Sequence, residues 1–310
     1  MAIKELAYKD HEEWLAIRAQ YIGGSDASAI IGKNPWSSPY TLWAEKTGKI
    51  PPVEEKLVMR VGAYLEEFVA QEFEARTGKK VRRKNRTLVN DEYPWACANL
   101  DRTIIGEKAF LECKTTGSLT VKKQVNGQEF PDIYYAQCLH YLAVTGYKKC
   151  YLAVLVENRD FHIFEMERDV EQIGALMLWE KEFWSWVQTN TPPPVDGSES
   201  TSDTLTTLYP ESDGSTVDLF AYESEIEQYL SLKQQAKDLS QLAEEKANIL
   251  KEVMKEASKG VCGPYKISFG TQTRRSLDTK RLIAENKTLD LTPYYTESSY
   301  RAFKVTGGKQ

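Results

Sequence analysis

Asp101, Glu112 and Lys114 are the residues of this 310-residue chain whose types and spacing point most directly to chemistry. If Ala109–Thr116 is a strand, alternate side chains face opposite ways, so Phe110, Glu112 and Lys114 share one side while Leu111 and Cys113 share the other. A turn at Gly106-Glu107 lets Asp101 fold back beside them, gathering two carboxylates and an ammonium at the end of a hairpin. Two such acids suit Mg2+ or Mn2+, hard cations that take oxygen donors and keep waters for a phosphate. A lysine beside them can hold or deprotonate an attacking water. These are the parts that metal-assisted hydrolysis of a phosphodiester needs. Glu-x-Lys alone is also what an ordinary amphipathic strand shows to solvent, so its surroundings have to decide.

The totals narrow the classes. A net charge of −5 means that any contact with nucleic acid comes from a local groove, not from a basic chain. The five cysteines are scattered, without a Cys-x-x-Cys pair or an evident export signal, and read as reduced cytoplasmic thiols. The same scatter argues against an iron–sulfur cluster. His11, His140 and His162 are far apart, which disfavours zinc and histidine catalysis. No apolar run approaches the length of a membrane span, so no membrane partner is expected.

Several elements must position the cluster. Residues 9–19 carry Trp14, Leu15 and Ile17 in a helical pattern. After them Gly23-Gly24 permit a tight turn, and Ser25 or Asp26 can cap a short helix to Ile31, as a plain N-cap or as a seat for phosphate. Residues 60–77 predict a helix with Val61, Leu65, Val69 and Phe73 on one stripe, Glu66 at its edge and Glu67 and Glu74 outward. The basic run Lys79, Lys80, Arg82, Arg83, Lys84 and Arg86 reads either as a charged edge strand or as a rim that tracks phosphates. Lys122-Lys123 and Asn126-Gly127 predict a mobile polar loop, followed by a helix over 132–144 that carries Tyr134, Tyr135 and Gln137.

Strands over 149–157 and 161–167 and a helix over 170–189, with Trp179, Phe183, Trp184 and Trp186 as core, complete the first domain. Thr191-Pro-Pro-Pro-Val195 and the small polar residues to Asp203 are expected not to pack as a helix. The expected organisation is therefore a core over 1–190, a linker over 191–215 and an extension over 216–310. In the extension, Tyr229, Leu232, Ala236, Leu239, Ala243, Lys246, Leu250 and Val253 follow heptad spacing, which Lys246 interrupts. Residues 265–269 and 299–305 read as strands around a short helix containing Leu282.

Taken in order, these motifs resemble the PD-(D/E)xK nuclease superfamily and, within it, the lambda exonuclease or YqaJ-like viral recombinase family. The resemblance is carried by Asp101 with ten residues to Glu112-x-Lys114, by Trp14, Arg18 and Ile22-Gly-Gly-Ser-Asp26, and by Trp36-Ser-Ser-Pro-Tyr40 with Lys46-Thr-Gly48. Gly62-x-x-x-Glu66 and Tyr134-Tyr-Ala-Gln137 add to it, and it covers about 9–189. It implies an α/β fold, a restriction-endonuclease-like mixed β-sheet core flanked by helices, with a helical or α+β C-terminal extension. It implies a Mg2+-dependent exonuclease, Mn2+ being a substitute, that degrades one strand of linear double-stranded DNA from a 5'-phosphorylated end and leaves a 3' overhang.

By resemblance, Asp101, Glu112 and the Cys113 backbone carbonyl hold the metal, and Lys114 positions or activates water. Glu66 and Gln137 support the site, and Arg18 with Ser25 grips the terminal phosphate. The partners implied are DNA ends, a phage single-strand annealing protein and two further copies in a trimeric ring, in a host cytoplasm, from a phage or prophage. No trimer determinant is recognisable in the sequence itself. Two other readings stand: a structure-specific endonuclease of the same fold, and a non-catalytic DNA-end-binding scaffold that works through the heptad helix.

Overall fold

The computed structural model describes residues 2–307 apart from 53, 55, 287 and 289, and divides into two compact units, Met1–Tyr209 and Pro210–Gln310. The first unit opens with β1 (Ile3–Leu6), α1 (His11–Arg18), β2 (Ile22–Gly23), α2 (Gly24–Ile30), α3 (Pro39–Lys46) and α4 (Leu57–Thr77). Strands β3 (Val81–Arg83), β4 (Thr87–Asn90), β5 (Tyr93–Ala98), β6 (Arg102–Ile104) and β7 (Ala109–Thr116) follow. It closes with α5 (Leu119–Asn126), α6 (Asp132–Thr145), β8 (Lys149–Val156), β9 (Asp160–Glu167), α7 (Val170–Thr189) and α8 (Glu199–Leu208).

Alternation in β7 builds the central sheet. Its order is β3-β6-β7-β8-β9, mixed, with β7 and β8 parallel and the other pairs antiparallel. Gly106, at φ 86°, takes the left-handed turn that folds β6 onto β7. Parallel pairing of β7 with β8 requires a crossover, and α5 and α6 supply it. Odd-numbered Ala109, Leu111 and Cys113 pack with Tyr151, Ala153 and Leu155 beneath Val69, Ala70 and Phe73 of α4. Phe110, on the opposite face, joins the core formed with Ala136, Leu139 and Leu142 of α6. Each of the large aliphatic and phenylalanine side chains among these stabilises the layers by ~1.5–3 kcal/mol relative to exposure, the alanines by less. The result is a mixed sheet flanked by helices, with a smaller sheet of order β1-β4-β5-β2 beside it.

Several sequence expectations change. Where Lys122-Lys123 and Asn126-Gly127 predict a polar loop, the chain forms helix α5: Ser118 accepts from the Val121 amide at its start, and Val121 and Val125, one turn apart, are buried among Leu152, Val154 and Val156. Inside the expected linker lies α8, and the first unit runs to Tyr209. Hydroxyls dock this helix: Thr201 donates to Ser38 at 2.7 Å, and Thr204 bonds Thr41 at 2.8 Å. These hydroxyls share the contact with Leu205 and Leu208, which pack against the core cluster that includes Trp43 and Phe183. Trp179, expected in the core, is 55% exposed, whereas Phe183 is fully buried.

The second unit contains α9 (Glu223–Met254), the hairpin of β10 (Lys259–Cys262) with β11 (Tyr265–Ser268), and α10 (Thr279–Glu285). Residues 299–305 form no strand, and the expected strand at 265–269 pairs instead with β10 across a tight turn at Gly263. The heptad positions Leu232, Leu239 and Val253 of α9 are exposed.

Candidate active site

The site forms where the sheet runs out. Strand β6 pairs with β7 only as far as Arg102 opposite Leu111, so beyond that point β7 has no strand on this edge. The Asp101 side chain takes over: its Oδ2 accepts the Cys113 amide at 2.8 Å. Glu112 lies on the other face of β7 and is 1% exposed. Its Oε1 accepts both the Gln137 amide, at 2.5 Å, and the Lys114 ammonium, at 2.8 Å. Its Oε2 is buried and has no hydrogen-bond partner among the described residues.

These contacts set the charges. Burial and then the Glu112 charge push the Asp101 carboxyl well above the usual carboxylate range, against the pull of Lys114. Glu112 is also pushed up, by burial first, with Lys114 opposing. Burial works against the Lys114 charge, yet Glu112 and Asp101 override it and hold the ammonium strongly charged. The Lys114 ammonium also stands over the Tyr134 ring, 5.5 Å from its centre.

Helix α4 brings Glu66 to the same place from the opposite layer. Arg102, nearly fully buried, donates to Glu66 at 2.5 Å and to Glu67 at 3.0 Å, and also to the Asp101 carbonyl at 2.7 Å. Glu66 therefore stands near both Asp101 and Glu112, adding negative charge to each, but its carboxylate is already bridged by Arg102. Sequence reasoning passed over Arg102. The signal was there: it follows Asp101, so strand alternation turns it to the α4 face. Glu67, expected to point outward, is exposed yet shares this arginine.

The donor set fits a hard divalent cation. Two carboxylates destabilised by burial, one with an unpartnered oxygen, are what a cation would relieve. The Cys113 carbonyl leaves β7 by the edge at which Asp101 accepts the Cys113 amide. Among the described residues no three His, Cys, Asp or Glu side chains form a metal site by themselves.

Arg18 and Ser25 meet in a second cluster. The Arg18 guanidinium donates to the Ser25 hydroxyl, reaches Asp26 at 3.4 Å and lies over the Trp14 ring. Asp26, an N-terminal residue of α2, also accepts the Gly23 amide at 3.0 Å, so Gly23 and Asp26 cap the helix and leave the Ser25 hydroxyl to Arg18. Burial alone would raise the Asp26 carboxyl, but Lys46 and Arg18 hold it well below the usual range. Its neighbour Cys97 is pushed up to about 12 by burial and by Asp26. A side-chain carbon at Gly24 would lie 2.4 Å from Tyr141 Cε1 and 3.0 Å from Gln137 Cγ, so this turn rests directly on the residues that hold Glu112. Gln137 bridges the two, donating to Glu112 and to the Tyr141 hydroxyl at 3.3 Å. Of the basic run, Lys79, Lys80, Arg83 and Lys84 pair with Glu107, Glu74, Glu67 and Glu5, which favours the charged strand margin over a free phosphate rim.

Comparison with known proteins places the chain by family and by fold. Residues 13–148 match the family model of the YqaJ-like viral recombinase domain. The uncharacterized protein YqaJ of Bacillus subtilis (strain 168) is 42% identical over 277 residues, spanning 87% of this chain and 86% of that protein. In fold, the chain is similar to an alkaline exonuclease, LHK-Exo, from Laribacter hongkongensis, with a TM-score of 0.51 at 18% identity, over 58% of this chain and 94% of that one. The structure of LHK-Exo in complex with dAMP matches with the same TM-score of 0.51 and 18% identity over the same shares, 58% and 94%. At such identity the likeness concerns the fold.

Proposed function

This chain belongs to the YqaJ-like viral recombinase family, and on that premise we propose that it is a metal-dependent nuclease acting on the 5'-phosphorylated ends of linear double-stranded DNA. One observation carries the reading: Glu112 is fixed through one oxygen by Gln137 and Lys114 while its other oxygen is buried without a partner, beside the destabilised Asp101. Asp101, Glu112 and the Cys113 carbonyl would hold Mg2+, or Mn2+ in its place, which supplies Lewis-acid polarisation of the scissile phosphate.

The remaining roles belong to side chains. Gln137 orients Glu112, and its hold on Oε1 keeps Oε2 directed away from the helix that carries it. Lys114, a quarter exposed and anchored on Glu112, donates a hydrogen bond to the attacking water and sets its direction. Glu66 with Arg102 fixes the position of Asp101 through the Asp101 carbonyl. Arg18 and Ser25, a third exposed and exposed respectively, grip the terminal phosphate and set where the strand begins. Polarity from 5' to 3', a 3' overhang, a ring-shaped trimer and transfer to a phage single-strand annealing protein follow from the family resemblance as further parts of the proposal.

The test uses one linear duplex bearing a 5'-phosphate or a 5'-hydroxyl, each strand labelled, with and without Mg2+, beside its closed circle. Expected is Mg2+-dependent loss of the 5'-phosphorylated strand with the circle intact, lowered on the order of a thousandfold in Glu112→Gln. Cutting of the circle would replace this reading with the endonuclease, and end binding without cutting would replace it with the scaffold.

A further inference from the structure

Lys46 sits at the end of α3, behind the Arg18–Ser25 pair and away from solvent, its side chain 8% exposed. Its ammonium donates to the Tyr21 carbonyl at 2.8 Å and lies 2.9 Å from Asp26 Oδ2. Arg18 meets the other oxygen of the same carboxylate at 3.4 Å and keeps a third of its side chain exposed. Asp26 itself is 7% exposed, so it cannot be solvated by water instead.

The arithmetic of charge gives this arrangement a consequence. An arginine beside a single buried carboxylate forms a neutral pair, which has little attraction left for an anion. Here a second cation takes up the carboxylate at the shorter distance. Arg18 and Lys46 against Asp26 leave one positive charge, and the group carrying it that reaches solvent is Arg18, next to the Ser25 hydroxyl. Glu45 is the other acid that the cluster feels; burial and the Asp26 charge raise its carboxyl while Lys46 and Arg18 oppose them, and its contribution is a background on which Arg18, Lys46 and Asp26 act. The deeper charges, His140 and Glu180, bond each other at 2.7 Å and add no net charge when both are ionised.

We propose that Lys46 is a positioning and specificity residue of the end-binding site: by neutralising Asp26 from behind, it frees the charge of Arg18 for a terminal phosphate monoester. This rests on the reading of Arg18 and Ser25 as the seat of the 5'-phosphate. Lys46 touches neither the DNA nor the reacting atoms, and acts entirely through Asp26.

The experiment changes the charge of the cluster and reads the preference for phosphate. Dissociation constants of the full chain for 5'-phosphoryl and 5'-hydroxyl duplexes are measured by fluorescence anisotropy in EDTA, so that cleavage plays no part. The ratio of the two constants within one protein cancels general effects on folding. Counted over Arg18, Lys46 and Asp26 alone, the charge is zero in Lys46→Met, plus one in the wild type and in Asp26→Asn/Lys46→Met, and plus two in Asp26→Asn.

The preference should follow that order: about tenfold lower in Lys46→Met, restored to near wild type in the double variant, and higher than wild type in Asp26→Asn. A folded Lys46→Met protein that keeps the wild-type ratio overturns the proposal, as does a double variant no better than Lys46→Met. Where Lys46→Met does not fold, Asp26→Asn decides, because an unchanged or lowered ratio there contradicts the charge count. A wild type that does not distinguish the ends, or an Arg18→Ala variant that still does, sinks the phosphate seat itself and the role of Lys46 with it. A ratio lost in Arg18→Ala but indifferent to Lys46 and Asp26 keeps the seat and removes only Lys46.

Discussion

Two clusters in the first unit bury the same kinds of groups with opposite outcomes. At the sheet edge, two acids, Asp101 and Glu112, share one lysine, and both carboxyls are pushed up. Behind α2, two cations, Arg18 and Lys46, share one acid, and the Asp26 carboxyl is held down. Every oxygen of Asp26 has a partner, whereas one oxygen of Glu112 has none among the described residues. Burial alone distinguishes nothing here. What separates Glu112 from Asp26 is the number of donors facing its oxygens together with a second raised carboxyl beside it; Glu180, whose buried Oε2 also has no partner among the described residues, faces His140 through its other oxygen instead.

The same replacement should therefore have opposite signs at the two sites. Asp26→Asn leaves Lys46 buried beside a neutral amide and should cost roughly 3 kcal/mol. Asp101→Asn removes a repelled carboxylate while its amide oxygen can still accept the Cys113 amide, and should stabilise the metal-free protein by about 1 kcal/mol. Thermal unfolding in EDTA measures both. Addition of Mg2+ should then raise the wild-type Tm and leave Asp101→Asn unmoved, by mass action on the folded state. Two losses of stability, or a Mg2+ shift that survives in Asp101→Asn, would break the contrast.

Gly24 joins the clusters, and filling it should disturb both. In Gly24→Ala the new carbon would lie 2.4 Å from Tyr141 Cε1, against a buried ring with no room to retreat, so the turn or Gln137 has to shift. The expected cost is about 1–3 kcal/mol. Calorimetry gives that number, and cleavage and end-binding assays on the same preparation should both fall. A variant that loses end binding while cleaving short, open substrates normally would make the clusters independent.

How far the sequence reaches depends on where the determining contacts lie. Alternation in Ala109–Thr116 separates Glu112 and Lys114 from Leu111 and Cys113 because a strand needs only its own period to assign faces. Likewise the 3.6-residue pattern is enough for α7, whereas α6 is buried on every side and carries almost none of it. Contacts across the chain are different. Nothing local tells that Lys46 reaches Asp26 from another helix, that Arg102 bridges Glu66 and Glu67, or that α8 docks through threonine hydroxyls. Helix α5 was hidden because its charged face dominates the composition while only Val121 and Val125 record the buried side. The second cluster is thus half legible: Arg18, Ser25 and Lys46 each stand in a quoted motif, but only the fold tells that Lys46 serves Asp26.

The smallest expected effect comes from beneath the second cluster, where His140 on α6 and Glu180 on α7 are both fully buried. One ring nitrogen of His140 lies 2.7 Å from Glu180 and the other 2.8 Å from the Cys97 carbonyl, an acceptor, so the protonated ring satisfies both contacts. Burial opposes the charge on His140, but Glu180 prevails and its value is raised; burial raises Glu180 as well, against the pull of His140. Both groups bind their protons more tightly in the folded state than in the unfolded one, so both contribute stability that is lost with rising pH. The loss begins above the ordinary carboxylate range for Glu180 and above about 6.5 for His140, and it continues through their raised values. Asp26 has the opposite sign, since its lowered carboxyl stabilises the fold at neutral pH and fails only in strong acid. Between pH 6 and 9 the wild-type Tm should therefore decline by a few degrees, at about 2–4 °C per kcal/mol for a domain of this size. His140→Gln should flatten that slope whatever it does to the Tm itself, and an equal slope in the variant would remove the pair from the account of pH.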